Sequence, residues 1–483
     1  MNSSLARRSF GWMSRPGIKN GFGPACRQAI GCTLLLPAIF ASAQGITESQ
    51  RKAIRQFAED PALKYAGWSF VVQEAGAGRT LVDMQGNLGL PAASTQKIFT
   101  SIAGYDILGK TYRYETAVSA VGNIDNGELD GALEISAAGD PSFGSFRFSS
   151  TKPLLLLRRL TESLATAGIK RIKGTVTVAP GRWSDAIPDG WIWQDIGNYY
   201  GAGAYPFNWR ENQFDLQLRS GPEPGSAVMI SQADPPLAGV QLVSAVTAAP
   251  AGSGDNAFIY LPPGAGAGIV KGTIPVNEKS FVISGALPDP ARQFAYELSS
   301  LLPQTAPGNG EAPVTANTKR TLLWRHQSPV YDTLNYWFLR KSINLYGEAF
   351  LKTIGEKKRQ EGSTAAGVAA LKEYWQERGI DSNALQVIDG SGLSPQNRVT
   401  ALALAGALQY AWKQSWFNSF YQCLPVYNGM KLKSGSISGA RAFAGYHEAA
   451  NGKKYVIAIV VTNYSCSSKQ VVQKMFALLN YWK

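Results

Sequence analysis

The 483-residue sequence contains only two histidines, His326 and His447. A histidine-rich metal site is thereby excluded, and a Ser-His-Asp triad would depend on one of those two residues. Charged residues make up only 17% of the chain. No basic run interleaved with aromatic residues occurs, which argues against nucleic acid as a partner. No run of 18 or more apolar residues appears, so no transmembrane anchor is expected. Cysteine is also scarce, with Cys26 and Cys32 near the start and Cys423 and Cys466 near the end.

The first 43 residues carry Arg7, Arg8, Arg15, Lys19 and Arg27 without an acidic residue, then a short apolar core at 32–40 and the small-residue site Ala41-Ser42-Ala43. This is the pattern of a secretory signal over 1–43, with cleavage expected before Gln44. Arg7-Arg8-Ser9-Phe10 hints at a twin-arginine signal, but the pair lies far upstream of the apolar core, which favours the ordinary secretory route. Cys32 precedes that core, which argues against a lipoprotein cysteine. Export would place Cys423 and Cys466 in an oxidising compartment, either as a disulfide or as two buried thiols. The formal charge of +13 falls to about +8 without the five signal cations. A basic exported surface suits an anionic polymer such as a cell wall.

Along the remaining chain an amphipathic helix is expected near 46–58. Strands Gly67–Glu74 and Thr80–Met84 follow, flanking Ala75-Gly76-Ala77-Gly78 as a β-hairpin. Near the other end, 442–448 and 454–461 flank an Asn451-Gly452 turn, again a hairpin pattern, and 471–479 reads as a helix. From about 114 to 317 the texture changes to short strand candidates broken by Gly and Pro clusters, as at 249–254 and 262–268, which suggests β-rich inserted material. From 318 the pattern turns helical, through 331–351 and 364–379. The simplest architecture is one domain built from both ends and interrupted by an insert of roughly 200 residues.

Ser-x-x-Lys occurs three times, at Ser49, Ser94 and Ser149. Ser49 and Lys52 fall on the solvated face of the first helix. Ser149 leads into Lys152-Pro153, and a residue before proline is biased away from α, so that pair is not expected to share a helical turn. Ser94 instead follows Pro91-Ala92-Ala93 and opens a dense apolar stretch that ends at Gly109, the pattern of a buried helix. Residues three apart on a helix share a face, so Ser94 Oγ and Lys97 Nζ can meet.

A serine hydroxyl needs a neighbouring base and a site for the developing oxyanion. Lysine serves as that base only when neutral, and burial beside another cation lowers its pKa. Lys433 is a candidate for that second charge. Ser342-Ile343-Asn344 is expected in a turn between two helices, where its hydroxyl and amide can face a cleft. Lys433-Ser434-Gly435-Ser436 offers a cation and two hydroxyls suited to a substrate carboxylate, with Gly435 permitting close approach of substrate backbone to a strand. Any one of these elements alone also reads as ordinary turn or strand-end chemistry.

Taken in order, the three elements resemble the penicilloyl serine transferases, the penicillin-binding proteins and serine β-lactamases. Ser94 and Ser342 stand 248 positions apart, whereas compact β-lactamases place these elements several times closer. The long insert resembles class C low-molecular-mass penicillin-binding proteins, the D-alanyl-D-alanine carboxypeptidase/endopeptidases of DacB type. Ala138-Gly139-Asp140-Pro141-Ser142, Asp195–Ala202, Ser328-Pro329 and Asp389-Gly390-Ser391-Gly392-Leu393-Ser394 support that branch.

The resemblance implies an α/β (α+β) transpeptidase-like domain, an antiparallel sheet flanked by helices, with large β-rich inserted domains. Residues 44–113 with 318–483 would form the penicillin-binding domain, 114–142 with 268–317 inserted domain II, and 143–267 inserted domain III. It also implies a periplasmic serine DD-peptidase that needs no cofactor or metal, acts on peptidoglycan stem peptides and is trapped by β-lactams. Ser94 would be the nucleophile and Lys97 the base. Ser342 and Asn344 would relay the leaving-group proton and hold the substrate amide. Lys433 with the Ser434 and Ser436 hydroxyls would receive the terminal carboxylate, and the Ser94 and Ser436 N–H groups would form the oxyanion hole. Relatives often carry aspartate where Ile343 stands, and threonine where Ser434 stands. A pocket for the free amino end of the stem peptide is implied in the insert, with Asp195, Trp193 and Tyr200 as candidates, although the same residues suit packing and a turn. A β-lactamase, or a non-enzymatic protein that senses β-lactams or binds the wall, is the alternative.

Overall fold

A computed structural model describes residues 45–179, 183–184, 186–302 and 319–483. The expected signal segment, 1–43, and its cleavage site lie outside the described residues. Helix α1 (Glu48–Ala58) starts at a capping box, in which the Thr47 hydroxyl accepts from Gln50 N–H and the Gln50 side chain accepts from Thr47 N–H. It buries Ala53, Ile54 and Phe57. Strands β1 (Gly67–Glu74) and β2 (Thr80–Met84) pair as the expected antiparallel hairpin. Helix α2 (Lys97–Ile107) is buried at every position from Lys97 to Tyr105, as suits a helix that is apolar nearly all round.

The insert is less uniformly β than its Gly and Pro clusters suggest. It runs through β3 (Glu115–Asp125), β4 (Glu128–Ala137), α3 (Pro153–Thr166), β5 (Arg171–Ile172), β6 (Val176–Val178) and the short α4 (Trp193–Ile196). Strands β7 (Gln213–Arg219), β8 (Met229–Asp234), β9 (Gln241–Ala249), β10 (Asn256–Tyr260), β11 (Ala267–Pro275) and β12 (Phe281–Ala286) follow, then α5 (Pro290–Ser299) and, past the undescribed 303–318, β13 (Arg320–Gln327). Two cores form here, and they cross the expected boundaries. Leu156, Leu160 and Leu164 of α3 pack with Leu133 of β4 and Phe294 of α5, although 143–267 was expected to stand apart from 114–142. β12 pairs with β7, although 268–317 was expected to lie with 114–142. β13 pairs with β3, so 320–327 belongs by its hydrogen bonds to a sheet of the insert. Sequence texture reports local propensity, whereas these partitions follow from which apolar faces meet.

The C-terminal part supplies α6 (Tyr331–Arg340), α7 (Asn344–Arg359), α8 (Thr364–Gln376), β14 (Leu385–Gln386), β15 (Arg398–Val399), α9 (Ala401–Trp412), α10 (Phe417–Cys423), β16 (Val426–Tyr427), β17 (Met430–Ile437), β18 (Ala440–Glu448), β19 (Lys454–Thr462) and α11 (Ser468–Leu479). The central sheet takes strands from both ends in the order β16-β17-β18-β19-β1-β2, every pair antiparallel. Along β19, Val456, Ala458 and Val460 face one core, which contains α2 and α9 residues, while Ile457, Ile459 and Val461 face another, built with α1 and α11. A strand covered on both faces reads as a continuous apolar run, as 455–461 does. This is the antiparallel, helix-flanked sheet expected. Cys423 lies in the first core and Cys466 against the second, so the two are free thiols on opposite faces of the sheet and form no disulfide. No helix among the described residues is long and apolar enough to cross a membrane.

Candidate active site

Ala93–Gln96 form a 3-10 turn that runs into α2, so the helix expected to open at Ser94 opens three residues later. In a 3-10 turn residues i and i+3 eclipse one another. Lys97 therefore stands over Ser94, with Nζ 2.9 Å from Oγ. Ala93 holds a left-handed φ of 47°, a strained conformation for a residue with a Cβ, and it turns the chain sharply into the serine.

Lys97 is fully buried. Besides Ser94, its Nζ donates to Asn344 Oδ1 at 2.6 Å and to the Ser391 carbonyl at 2.7 Å. Burial drives its pKa down to about 7, opposed first by the charge of Asp389. Lys433 is fully buried as well, and its pKa is lowered well below normal first by burial and then by the charge of Lys97. Both carbonyl-type oxygens can only accept. In the neutral amine they hold its two N–H groups, which leaves the nitrogen lone pair directed at the Ser94 hydroxyl proton. A neutral amine so placed can accept that proton.

Ser342 sits between α6 and α7, also at a left-handed φ of 59°. Its Oγ accepts from Lys433 Nζ at 2.9 Å, and the same Nζ donates to the Ser434 carbonyl at 2.7 Å. Asn344 opens α7 and is oriented from both ends of its amide. Oδ1 accepts from Lys97, and Nδ2 donates to the Tyr200 carbonyl at 2.7 Å. The Ser342 and Asn344 side chains thus each bond one of the two lysines.

Gly435 lies in β17 where the strand crosses the Ser94 turn. A Cβ there would collide with the Ala92 carbonyl oxygen, so glycine is needed for the packing of sheet against turn. Gly435→Ala is expected to leave a folded protein whose acylation by a labelled penicillin is at least ~10²-fold slower, because a shift of about 1 Å at a reacting atom costs that much. Acylation kinetics with a thermal melt in parallel checks this.

A cleft of about 640 Å³ opens over these groups, lined by Ser94, Ser342, Asn344, Asp195, Tyr200 and Ser436 among others. Tyr200 and Asp195 line the cleft together, and partial burial pushes the Asp195 carboxyl up. Trp193 does not line the cleft. It is half exposed and packs on the Tyr260 ring at 5.8 Å, because α4 turns it toward β10 while Asp195 turns inward. Lys433 is buried behind the cleft, and the Ser434 hydroxyl donates to Tyr427 Oη at 3.1 Å, so Ser436 is the hydroxyl of that run that faces the cavity. Sequence reasoning missed the Ser391 carbonyl and the cleft-lining Arg147 and Arg441. The stretch 389–394 was a signal for the first, while nothing local marked the two arginines. The candidates Ser49 and Ser149 are both exposed, as are Lys52 and Lys152.

The D-Ala-D-Ala carboxypeptidase 3 (S13) family model matches residues 50–481. The chain is 24% identical to D-alanyl-D-alanine carboxypeptidase DacB of Haemophilus influenzae, over 85% of this chain and 88% of that protein. It is 26% identical to the D-alanyl-D-alanine carboxypeptidase of Actinomadura sp. strain R39, over 96% of this chain and 92% of that one. The crystal structure of penicillin binding protein 4 (dacB) from Haemophilus influenzae shares the fold, with a TM-score of 0.75 and 23% identity over 90% of this chain and 99% of that one.

Proposed function

The chain belongs to the D-Ala-D-Ala carboxypeptidase 3 (S13) family and is a serine-type DD-peptidase acting on peptidoglycan, and from that premise we propose how its own residues carry the reaction. Ser94 Oγ attacks the carbonyl between two D-alanines while its proton passes to the neutral amine of Lys97. The Ser94 and Ser436 N–H groups receive the oxyanion. As the tetrahedral intermediate collapses, the C–N bond breaks and the proton taken up by Lys97 passes through the Ser342 hydroxyl, held by Lys433, to the leaving amine. D-alanine or the partner strand departs, and water then releases the acyl group from Ser94. One N–H of Asn344 Nδ2 is committed to Tyr200, and the other holds the substrate amide.

The terminal carboxylate lies at Ser436 with Lys433 behind it. Its arrival favours the charged form of Lys433, since a nearby anion stabilises the ammonium. Asp195 and Tyr200 take the free amino end of the stem peptide. β-Lactams acylate the same serine and leave it slowly, and the protein works as an exported, periplasmic enzyme after cleavage near Ala43. The observation that carries this reading is the three-way contact of Lys97 Nζ with Ser94 Oγ, Asn344 Oδ1 and the Ser391 carbonyl.

The test is to incubate the mature protein with a labelled penicillin and, separately, with cross-linked muropeptides, and to follow adducts and products by mass. A stable adduct on the Ser94 peptide, together with release of D-alanine or loss of the cross-link, is expected. Label on another residue, or neither product, would overturn the assignment, and fast steady turnover of the penicillin would favour a β-lactamase.

A further inference from the structure

The 389–394 loop, between β14 and β15, supplies the Ser391 carbonyl to Lys97. It is wedged into the centre of the site. A Cβ on Gly392 would meet the Ala93 carbonyl just before the nucleophile, and one on Gly390 would meet Gly347 of α7. The side chain that organises this loop is Asp389, which is fully buried. Its Oδ1 accepts from Gly392 N–H at 2.7 Å, Asn397 Nδ2 at 2.9 Å and Gln96 Nε2 at 3.2 Å. Its Oδ2 accepts from Ser394 N–H at 2.7 Å and Trp191 Nε1 at 3.0 Å. All five partners donate, which is the environment an ionised carboxylate needs and a protonated carboxyl would waste. None of the five is a cation.

We propose that Asp389 is a positioning residue for the reaction: its ionised carboxylate clamps the 389–394 loop so that the Ser391 carbonyl occupies one N–H of Lys97, and its negative charge acts on that amine from behind. The clamp reaches the catalytic turn twice, through the Ser391 carbonyl and through Gln96, whose Nε2 also donates to the Asp389 carbonyl at 2.8 Å. The other ionisable groups around Lys97 are Glu348 and Lys352 on α7 and Lys433 on β17. Glu348 is fully buried and accepts from Gly390 N–H at 2.9 Å. Burial, with the charge of Asp389 second, raises its pKa, which favours its neutral form. Lys352 donates to the Ala204 carbonyl at 2.9 Å, away from the loop. Asp389 is thus the anion that opposes the loss of a proton from Lys97, and the loop it holds directs the lone pair of the neutral amine at Ser94.

This inference rests on Lys97 acting as the base, and its test separates the two. The acylation rate by a labelled penicillin is measured against pH for wild type, Asp389→Asn and Glu348→Gln, with a thermal melt for each. In D389N the loss of the anion moves the acid limb to lower pH by about one unit, and the loosened loop lowers the plateau at least tenfold. E348Q keeps the wild-type limb, since a neutral group replaces a neutral group. A folded D389N whose limb stays in place overturns the proposal, because a merely structural residue lowers the rate at every pH alike. Should D389N fail to fold, E348Q still decides: a limb that moves down in E348Q assigns the charge to Glu348 and overturns the proposal. Undiminished acylation in a Lys97 variant would instead remove the reading on which the proposal stands.

Discussion

Acylation of Ser94 by a labelled penicillin is expected to slow by ~10²–10⁴-fold in a Lys97→Met variant, the contribution typical of a general base. Methionine keeps an unbranched side chain of similar reach in a fully buried position, so the apolar stem contacts survive while the amine is lost. The wild-type rate should also depend on pH in one direction. Below about 7 Lys97 carries its proton, three N–H groups point outward, and the lone pair needed by the Ser94 hydroxyl is gone. Above about 7 the amine is neutral and the rate reaches its plateau. The rate therefore falls as pH drops through 7, and the K97M variant has no such limb. Stopped-flow acylation across pH checks both. Acylation in K97M within tenfold of wild type, or a wild-type limb near the ordinary lysine value, would exclude Lys97 as the base.

Ser94→Ala is expected to abolish the covalent adduct altogether while muropeptides still bind. The hydroxyl shares a hydrogen bond with Lys97, and the turn that presents it is held by backbone contacts and by Thr95, whose hydroxyl donates to the Ala92 carbonyl at 2.6 Å. Removing one oxygen therefore leaves the scaffold intact, and the melting temperature should stay close to that of wild type. No substitute nucleophile is available in the other Ser-x-x-Lys copies. Ser49 lies on the exposed face of α1, hydrogen-bonded to Thr47, and Lys152 is extended ahead of Pro153 at the start of α3. Neither serine stands beside a buried lysine. Intact mass after incubation with penicillin, with muropeptide binding by calorimetry, is the measurement. An adduct that persists in S94A would move the nucleophile elsewhere.

Much of the fold was legible because its signals are local. The two terminal hairpins follow from short apolar runs broken by Gly and Asn-Gly, and β1–β2 and β18–β19 form where those runs stand. The apolar stretch after Ser94 forms a buried helix, although the serine itself lies in the 3-10 turn before it. Helix α3 went unread because the Gly and Pro clusters of its surroundings dominate the texture, while its own leucines at 156, 160 and 164 carry a clear helical period. In the site, Ser94, Lys97, Ser342 and Asn344 were nameable from order and spacing. Trp193 was not separable from Asp195, since two residues apart on one short helix face different neighbours and only packing decides which turns toward the cleft.

Residue order alone settled the local chemistry of this protein: a serine and a lysine one turn apart, a hydroxyl and an amide in an inter-helix turn, and a cation with hydroxyls on a strand. Their meeting is a tertiary matter. Lys97 is 247 positions from Asn344 and 294 from Ser391, and Lys433 is 91 from Ser342. Spacing along a chain fixes which neighbours within a turn can touch, but a lysine pKa near 7 requires water to be removed from every side. In this chain α7, the 389–394 loop and β17 close around Lys97 only when the sheet takes its strands from both ends.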